Sequence, residues 1–219
     1  MPLIAPSILS ADHGCLAREI QALEAAGADW IHIDIMDGSF VPNLTFGPWI
    51  AELARRLTRL PLDVHLMVSD PLTYGPVFAR AGADYVTVHA EACPHLHRAL
   101  AAIREAGAKP GAVLNPLTPL VFLEECLHMI DLAVLMGVNP GWPGQAFIPE
   151  TPARTARLAE IIKSRNLSVL VEIDGGVTDL TAPALAESGA DILVSGSWLF
   201  RSPDYAAAIS TLRKNPPVR

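Results

Sequence analysis

Two histidines and two aspartates are spaced so that their side chains could act on one ligand. His32 and Asp34 alternate with isoleucines in a short apolar run. The side chains of a β-strand alternate between its two faces, so both polar groups point the same way. His65 lies near the end of a second apolar run, and Asp174 ends a third run directly before two glycines. We therefore expect the four side chains to converge.

A set of two imidazoles and two carboxylates has the chemistry of a metal site. These groups suit Zn²⁺, Fe²⁺, Mn²⁺ or Co²⁺, and they leave coordination positions for the oxygens of a substrate. The alternative interpretation is a buried, hydrogen-bonded polar cluster. The predicted ligands of one divalent ion are His32, Asp34, His65 and Asp174.

The two aspartates also form a pair suited to proton transfer. On the second and seventh strands of a closed barrel, Asp34 and Asp174 would face each other across the pocket. One carboxylate can then remove a proton next to a carbonyl group, and the other can return a proton to the opposite face. A metal ion on the carbonyl and hydroxyl oxygens would stabilise the enediolate between the two steps. Asp34 and Asp174 are therefore the predicted catalytic residues of an epimerase.

Glycine-rich turns and methionines at strand ends complete the predicted substrate pocket. Backbone N–H groups that no side chain obstructs can hold a phosphate, although tight turns also need glycine for ordinary reasons. Methionines would give the pocket an apolar lining, although each is more often simply a core residue. Ser7 could hydrogen-bond a substrate oxygen or a catalytic carboxylate, or merely cap the next turn. The predicted substrate contacts are Ser7, His65, Met36, Met67, Met136, Gly141, Trp142, Pro143, Gly144, Gly175, Gly176, Gly196 and Ser197.

Other polar residues at strand ends and helix starts have simpler interpretations. Asp37 is followed by glycine and is best explained as a turn residue, and Asp12 is best explained as a helix cap. His89 ends a further apolar run, where it could support the site from behind. We expect a structural role for it.

Eight short β-rich runs alternate with helical periodicity along the chain, and these elements must position the site. Eight β-α units without a linker predict one (β/α)8 TIM barrel over residues 1–219, with its active site at the carboxyl ends of the strands. A doubly wound sheet is the alternative, but no G-x-G-x-x-G follows the first strand. The predicted strands are 3–8, 30–35, 62–67, 85–89, 109–114, 132–138, 168–174 and 191–195. The predicted helices include 16–26, 71–81, 95–106, 152–164 and 178–188.

Charge and cysteine usage narrow the possible partners and compartment. The formal net charge is −7 and basic residues form no run, which argues against nucleic acid and membrane surfaces as partners. The scattered Cys15, Cys93 and Cys126 indicate reduced thiols. The sequence contains no pattern of a secretory signal or a membrane span, so we expect a cytoplasmic protein.

Motifs in order along nearly the whole chain resemble the ribulose-phosphate 3-epimerase family. The segment 32–43 is long and highly specific, and the other motifs are 5–12, 65–68, 114–116, 138–141 and 174–177. The resemblance implies a divalent metal ion held by His32, Asp34, His65 and Asp174, with the two aspartates as the acid and base. This agrees with the prediction made from the residues themselves.

The resemblance further implies a substrate and an assembly. The substrate pair would be D-ribulose 5-phosphate and D-xylulose 5-phosphate, which link the pentose phosphate or Calvin routes. Dimers or hexamers are implied, as is substrate contact from Ser7. Phosphate contacts are implied for the segment 141–144 and for Gly175, Gly176, Gly196 and Ser197.

Departures from the family pattern keep other functions open. Trp142 and Pro143 replace the usual Phe and Gly, and Gly137 stands where serine is common. Such changes could indicate another ketose phosphate such as allulose 6-phosphate. A lyase would usually recruit a lysine at a strand end, whereas Lys109 begins a predicted strand and Lys163 lies on a predicted helix. A non-catalytic phosphate-binding barrel is the remote alternative.

Overall fold

The computed structural model describes residues 1–214, which form parallel strands in a ring with helices outside it. The strands are β1 (Leu3–Pro6), β2 (Ile31–Met36), β3 (Leu62–Met67), β4 (Tyr85–His89), β5 (Lys109–Leu114), β6 (Leu132–Met136), β7 (Leu170–Asp174) and β8 (Ile192–Ser195). The helices are α1 (Leu16–Ala25), α2 (Trp49–Leu57), α3 (Pro71–Arg80), α4 (Leu96–Glu105), α5 (Val121–Glu124), α6 (Thr151–Ser164), α7 (Ala182–Glu187), α8 (Ser197–Phe200) and α9 (Tyr205–Arg213). The end of the predicted domain, residues 215–219, lies outside the described residues.

The strands pair in parallel in the order β1-β8-β7-β6-β5-β4-β3-β2. The seam between β1 and β2 is closed by a few contacts rather than by a full ladder. The Ile4 carbonyl accepts from the backbone N–H groups of Asp29 and Trp30, at N···O distances of 3.0 and 3.3 Å. Ser7 and His32 then form a parallel bridge above them. The predicted (β/α)8 TIM barrel is therefore confirmed.

The predicted elements agree with the structure except at their ends. β3, β4 and β5 match residue for residue, whereas β1 ends at Pro6 because the next residues turn into a 3-10 helix that Ser7 caps. The amphipathic helices α2 and α9 lie outside the helical stretches named from the sequence. Their buried faces complete the outer layer against the strands.

Helix ends follow the turn chemistry of the sequence. Gly27, Gly82 and Gly189 have φ of 86°, 111° and 93°, as expected where glycine ends a helix before a strand. Asp70 accepts from the N–H of Thr73 at 3.1 Å and caps α3. These short turns return the chain to the ring at the start of each strand.

The core lies between the strands and the helices. The isoleucines of β2 are almost fully buried and belong to this outer layer, so the alternating His32 and Asp34 face the inside of the barrel. Within residues 1–214, no helix is long and apolar enough to cross a membrane. Cys15, Cys93 and Cys126 are free thiols, as predicted.

Candidate metal centre and active site

The predicted metal ligands meet inside the barrel near its carboxyl-terminal mouth. Ligand atoms of His32, Asp34, His65 and Asp174 all lie within 4.8 Å of one another, and all four residues are buried. Nε2 of His32 is 3.4 Å from Asp34 Oδ1 and 3.8 Å from Asp174 Oδ2. Nδ1 of His65 is 3.1 Å from Asp174 Oδ2 and 3.6 Å from Asp34 Oδ1. Each imidazole thus directs one nitrogen at both carboxylates.

The donor set fits a divalent cation. Nε2 of His32 is buried and makes no hydrogen bond within the described chain. Leaving such an atom unsatisfied costs about 1–3 kcal/mol. Two neighbouring carboxylates also repel each other unless a cation or proton lies between them. A metal ion bound by two imidazole nitrogens and two carboxylate oxygens would remove both costs.

Asp34 is held in its ionised form by its neighbours. Burial alone would raise its pKa, but the nearby His32 and His65 and a hydrogen bond from Ser7 lower the pKa to about 2. Ser7 Oγ donates to Asp34 Oδ2 and also accepts from the N–H of Leu9 at 3.4 Å. Two of the roles considered for Ser7 therefore occur together, because it both caps the turn and contacts a catalytic candidate.

A buried acidic pair, which the sequence patterns did not predict as part of the site, supports His32 from below. Nδ1 of His32 lies 2.6 Å from Asp63 Oδ2 and 3.8 Å from Glu172 Oε1, and all three residues are fully buried. Burial and the charge of Asp63 raise the pKa of Glu172 well above its usual value. The hydrogen bond to Asp63 fixes the Nδ1–H of His32 and leaves Nε2 free for a metal ion. Strand alternation could have indicated this pair, because Asp63 and Glu172 each stand two positions before a predicted ligand and so lie on the same strand face as that ligand.

His89 contacts His65 from behind, although the sequence favoured a structural role for it. The two Nε2 atoms are 2.9 Å apart and the rings stack with centroids 5.0 Å apart. Burial lowers the pKa of His89 to about 4, so its ring is neutral. His89 therefore belongs to the hydrogen-bonded surroundings of the candidate metal centre.

A cavity of about 340 Å³ opens above the two aspartates. Asp34 and Asp174 form part of its floor, whereas His32 and His65 lie beneath them, fully buried. Three residues that were not among the predicted site residues also line it, namely Thr178, Trp198 and Arg201. Apart from His65, the predicted substrate contacts all line this cavity: Ser7, Met36, Met67, Met136, Gly141, Trp142, Pro143, Gly144, Gly175, Gly176, Gly196 and Ser197.

The glycines of the cavity rim occupy positions that exclude larger side chains. Gly176 has a φ of 71°, and an added Cβ would lie 2.9 Å from Phe147. Gly196 has φ −105° and ψ −103°, outside the helical and strand regions, and an added Cβ would lie 2.8 Å from the hydroxyl of Ser10. The rim can therefore present backbone N–H groups to an anion at close range.

The unusual loop that contains Trp142 and Pro143 is closed by side-chain hydrogen bonds. Asn43 Nδ2 donates to the carbonyl of Gly141 at 2.8 Å. Gln145 Nε2 donates to the carbonyls of Asn139 and Trp142, at 2.5 and 2.9 Å. Pro143 therefore stands inside a loop that its neighbours hold over the cavity.

The fold and the site together define a TIM-barrel protein with a candidate metal centre at the mouth of the barrel. A model of the ribulose-phosphate 3 epimerase family matches residues 3–200, and the chain belongs to that family. The ribulose-phosphate 3-epimerase of Synechocystis sp. is 51% identical over 215 residues, which cover 97% of this chain and 94% of that protein. That of Bacillus subtilis is 50% identical, with 96% of this chain and 97% of that protein covered.

Solved structures of more distant proteins share the fold. KGPDC from Streptococcus mutans superposes with a TM-score of 0.73 at 16% identity, covering 97% of this chain and 96% of that one. Orotidine 5′-phosphate decarboxylase from Pyrococcus horikoshii superposes with a TM-score of 0.68, also at 16% identity, covering 96% of this chain and 97% of that one. At such identities the likeness supports the barrel architecture alone.

Proposed function

We propose that the protein is a ribulose-phosphate 3-epimerase that interconverts D-ribulose 5-phosphate and D-xylulose 5-phosphate. The observation that carries the proposal is the presence of two carboxylates, Asp34 and Asp174, on the floor of one cavity. Epimerisation needs a base on one face of a carbon and an acid on the other, which two such groups supply. Relatives whose sequences are 51% and 50% identical to this chain are named ribulose-phosphate 3-epimerase. The place of the reaction would be carbohydrate metabolism, in the pentose phosphate pathway.

In the proposed reaction, one aspartate removes the proton at C3 and the other delivers a proton to the opposite face. Asp34 is kept ionised by Ser7, His32 and His65 and is thus ready to accept a proton. In the reverse direction the two aspartates exchange roles. A divalent ion held by His32, Asp34, His65 and Asp174 would stabilise negative charge on the substrate's oxygens.

The rest of the cavity would bind and shield the substrate. Met36, Met67 and Met136 present apolar, polarizable surface above the aspartates and exclude water from the reacting carbon. At the rim, backbone N–H groups near Gly176 and Gly196 would hold the phosphate. Binding energy from this remote group would position C3 between the aspartates.

Proton exchange with solvent is the most direct test of the activity. The protein would be incubated in D₂O with ketose phosphates of four to six carbons, and ¹H NMR would follow the signal at each carbon. We expect deuterium at C3 of ribulose 5-phosphate together with formation of xylulose 5-phosphate. Faster exchange with allulose 6-phosphate would change the assigned substrate, and no exchange with any sugar would leave a phosphate-binding barrel without activity.

The metal, the assembly and the compartment complete the proposal. The donor set accepts Zn²⁺, Fe²⁺, Mn²⁺ or Co²⁺, so elemental analysis of protein purified without added metal would identify the ion. We propose a homo-oligomer, a dimer or a hexamer, which light scattering would measure. We also propose a cytoplasmic location, which cell fractionation would test.

A further inference from the structure

His65 makes contacts on both sides of its ring. Its Nδ1 faces Asp174 Oδ2 at 3.1 Å and Asp34 Oδ1 at 3.6 Å, where the metal ion is proposed. Its Nε2 lies 2.9 Å from Nε2 of His89. In such a close pair of nitrogens one carries the proton and the other accepts it through a lone pair. The position of that single proton decides whether Nδ1 of His65 can bind a metal ion.

Glu91 lies on the far side of His89. Its Oε2 is 3.4 Å from Nδ1 of His89, long for a hydrogen bond but close for an ion–dipole contact. Its Oε1 accepts from the N–H of Asn115 at 2.8 Å and from the hydroxyl of Thr118 at 2.5 Å. Glu91 is therefore anchored as an acceptor, with its second oxygen turned toward His89.

The row of contacts from Glu91 through His89 to His65 has a carboxylate at each end, because Nδ1 of His65 also lies 3.1 Å from Asp174 Oδ2. A metal ion on Asp34 and Asp174 would remove that competing acceptor, and the anchored Glu91 carboxylate would then decide which nitrogens of the row carry the protons. An acceptor at Oε2 favours a proton on Nδ1 of His89, which leaves a lone pair on its Nε2. His65 must then carry its proton on Nε2 and donate it to His89. We propose that His89 and Glu91 form a positioning pair that holds His65 in the tautomer whose Nδ1 can bind a metal ion. The inference rests on the metal-assisted site proposed above.

With the opposite tautomers of His89 and His65, the site could not bind a metal ion through His65. A proton on Nε2 of His89 would leave its Nδ1 lone pair facing the Glu91 carboxylate. His65 would then accept at Nε2 and carry its proton on Nδ1, toward the two aspartates and the metal position. Such a protonated nitrogen has no lone pair for a metal ion. Asp63 Oδ2 lies 2.6 Å from Nδ1 of His32 and favours a proton on that nitrogen, which leaves Nε2 of His32 for the metal ion. The two imidazoles are therefore oriented by separate partners.

Glu91→Gln is the most informative variant because Gln has nearly the shape of Glu but should move the protons of His89 and His65 to their other nitrogens. The N–H of Asn115 and the hydroxyl of Thr118 need an acceptor, so the amide oxygen takes the place of Oε1. The amide NH₂ then faces Nδ1 of His89 and favours the opposite tautomer. We expect zinc affinity, measured by titration of the metal-free protein against a chromophoric chelator, to fall about 10- to 100-fold.

Matched variants separate positioning from general damage. Asp84→Asn removes a carboxylate that accepts from the N–H of Leu62 and from Arg55 at the other end of the barrel, so zinc affinity should stay at the wild-type value. His89→Phe keeps a ring but removes the acceptor, and it should weaken zinc binding as Glu91→Gln does. His89→Gln restores an acceptor for His65 and should recover much of the affinity.

The proton positions can be read in the intact protein. Two-bond ¹H–¹⁵N NMR of the zinc-loaded wild type should show protons on Nε2 of His65 and on Nδ1 of His89. A proton on Nε2 of His89, or wild-type zinc affinity in folded Glu91→Gln and His89→Phe, would overturn the inference. A wild type that binds zinc in this tautomer but does not epimerise would contradict the proposed function alone. A wild type that binds no divalent metal would overturn both.

Discussion

The floor and the rim of the cavity are built in opposite ways. The floor and the histidines beneath it consist of side chains on strands, and the exposed fractions of His32, Asp34, His65 and Asp174 are 0%, 5%, 0% and 8%. The rim consists mainly of backbone and small residues in loops, where Trp142 is 54% exposed. Chemistry at the floor therefore depends on single atoms of named side chains. Binding at the rim depends on the space that glycines leave free.

The two regions are also held in place by different forces. Floor residues are set by the strand ladder, in which Asp34 pairs with His65 and Met136 pairs with Asp174. Rim loops are held by side chains that bond to backbone, such as Asn43 to the carbonyl of Gly141. Removing a floor atom should therefore change the chemistry, whereas changing a rim residue should change binding or stability.

Loss of either floor carboxylate should have the largest effect. We expect Asp34→Asn and Asp174→Asn each to lower kcat by about 10²- to 10⁴-fold, because each removes a proton-transfer group and weakens a metal ligand. A coupled assay for xylulose 5-phosphate would measure kcat, and circular dichroism would check that the barrel is folded.

Asp131→Asn is the matched control for the floor carboxylates. Asp131 accepts from Arg104 at 2.7 Å and lies just before β6, away from the mouth of the barrel. Its turnover should stay within a few-fold of the wild type. A change of only a few-fold for Asp34→Asn or Asp174→Asn would contradict the two-base assignment.

Removal of the metal ion from the floor should cause the second-largest loss of activity. Dialysis against a chelator should lower kcat at least about 100-fold, since charge on the substrate's oxygens would lose its counter-ion. A divalent ion should restore the rate and raise the unfolding temperature, because it binds the native state. Full activity in a sample shown by elemental analysis to hold no metal would exclude this role.

At the rim, a side chain added to Gly196 should weaken phosphate binding. We expect Gly196→Ala to lower kcat/KM for ribulose 5-phosphate by about 10- to 100-fold, the loss of one or two hydrogen bonds to a charged group. Gly196 is preferred to Gly176 because its added Cβ would meet the side-chain hydroxyl of Ser10, whereas at Gly176 a φ of 71° coincides with the backbone of Phe147 only 3.0 Å from an added Cβ. Zinc content should remain at the wild-type value.

Free ribulose provides the complementary measurement for the phosphate. Without its phosphate, the sugar should be a very poor substrate of the wild type, and Gly196→Ala should hardly change its rate. Ser164→Ala, at an exposed position at the end of α6 that does not line the cavity, serves as the control. Comparable turnover of ribulose and ribulose 5-phosphate would refute a phosphate site at this rim.

The smallest effect is expected for the carboxylate that ties two rim loops together. Asp37 accepts from the N–H and hydroxyl of Ser69, at 2.7 and 2.6 Å, and from the N–H groups of Ser39 and Phe40, both at 2.9 Å. These hydrogen bonds outweigh burial and lower its pKa to about 2. Asp37→Asn should therefore reduce stability while kcat changes by less than about threefold.

The pH dependence of unfolding would check the role of Asp37. A carboxylate with a lowered folded pKa stabilises the protein above its unfolded pKa of about 3.9. This contribution is lost as the pH falls toward 2, the value in the folded state. Urea unfolding should thus show a difference between wild type and Asp37→Asn at pH 7 that shrinks below pH 4. A difference independent of pH would contradict this role.

Local pattern was enough to predict most of the fold and the inward residues of the floor. Alternation along β2 placed His32 and Asp34 on the inner face. This placement depends on chain neighbours, so the sequence determines it directly. The ends of β1 and β6 were predicted too long, because a turn competes with the strand at Ser7 and the ladder between β6 and β7 ends at Met136.

Partners from distant parts of the chain were decided only by the tertiary structure. His65 meets His89, 24 positions away, and Asp174, 109 positions away. Whether these side chains touch depends on strand order and register around the ring, which no local pattern contains. Asp63 and Glu172 could be placed inside the barrel by alternation, but their position beneath His32 required three strands to be brought together. Sequence thus determined which groups face inward, and the closed barrel decided which nitrogen lies against which partner.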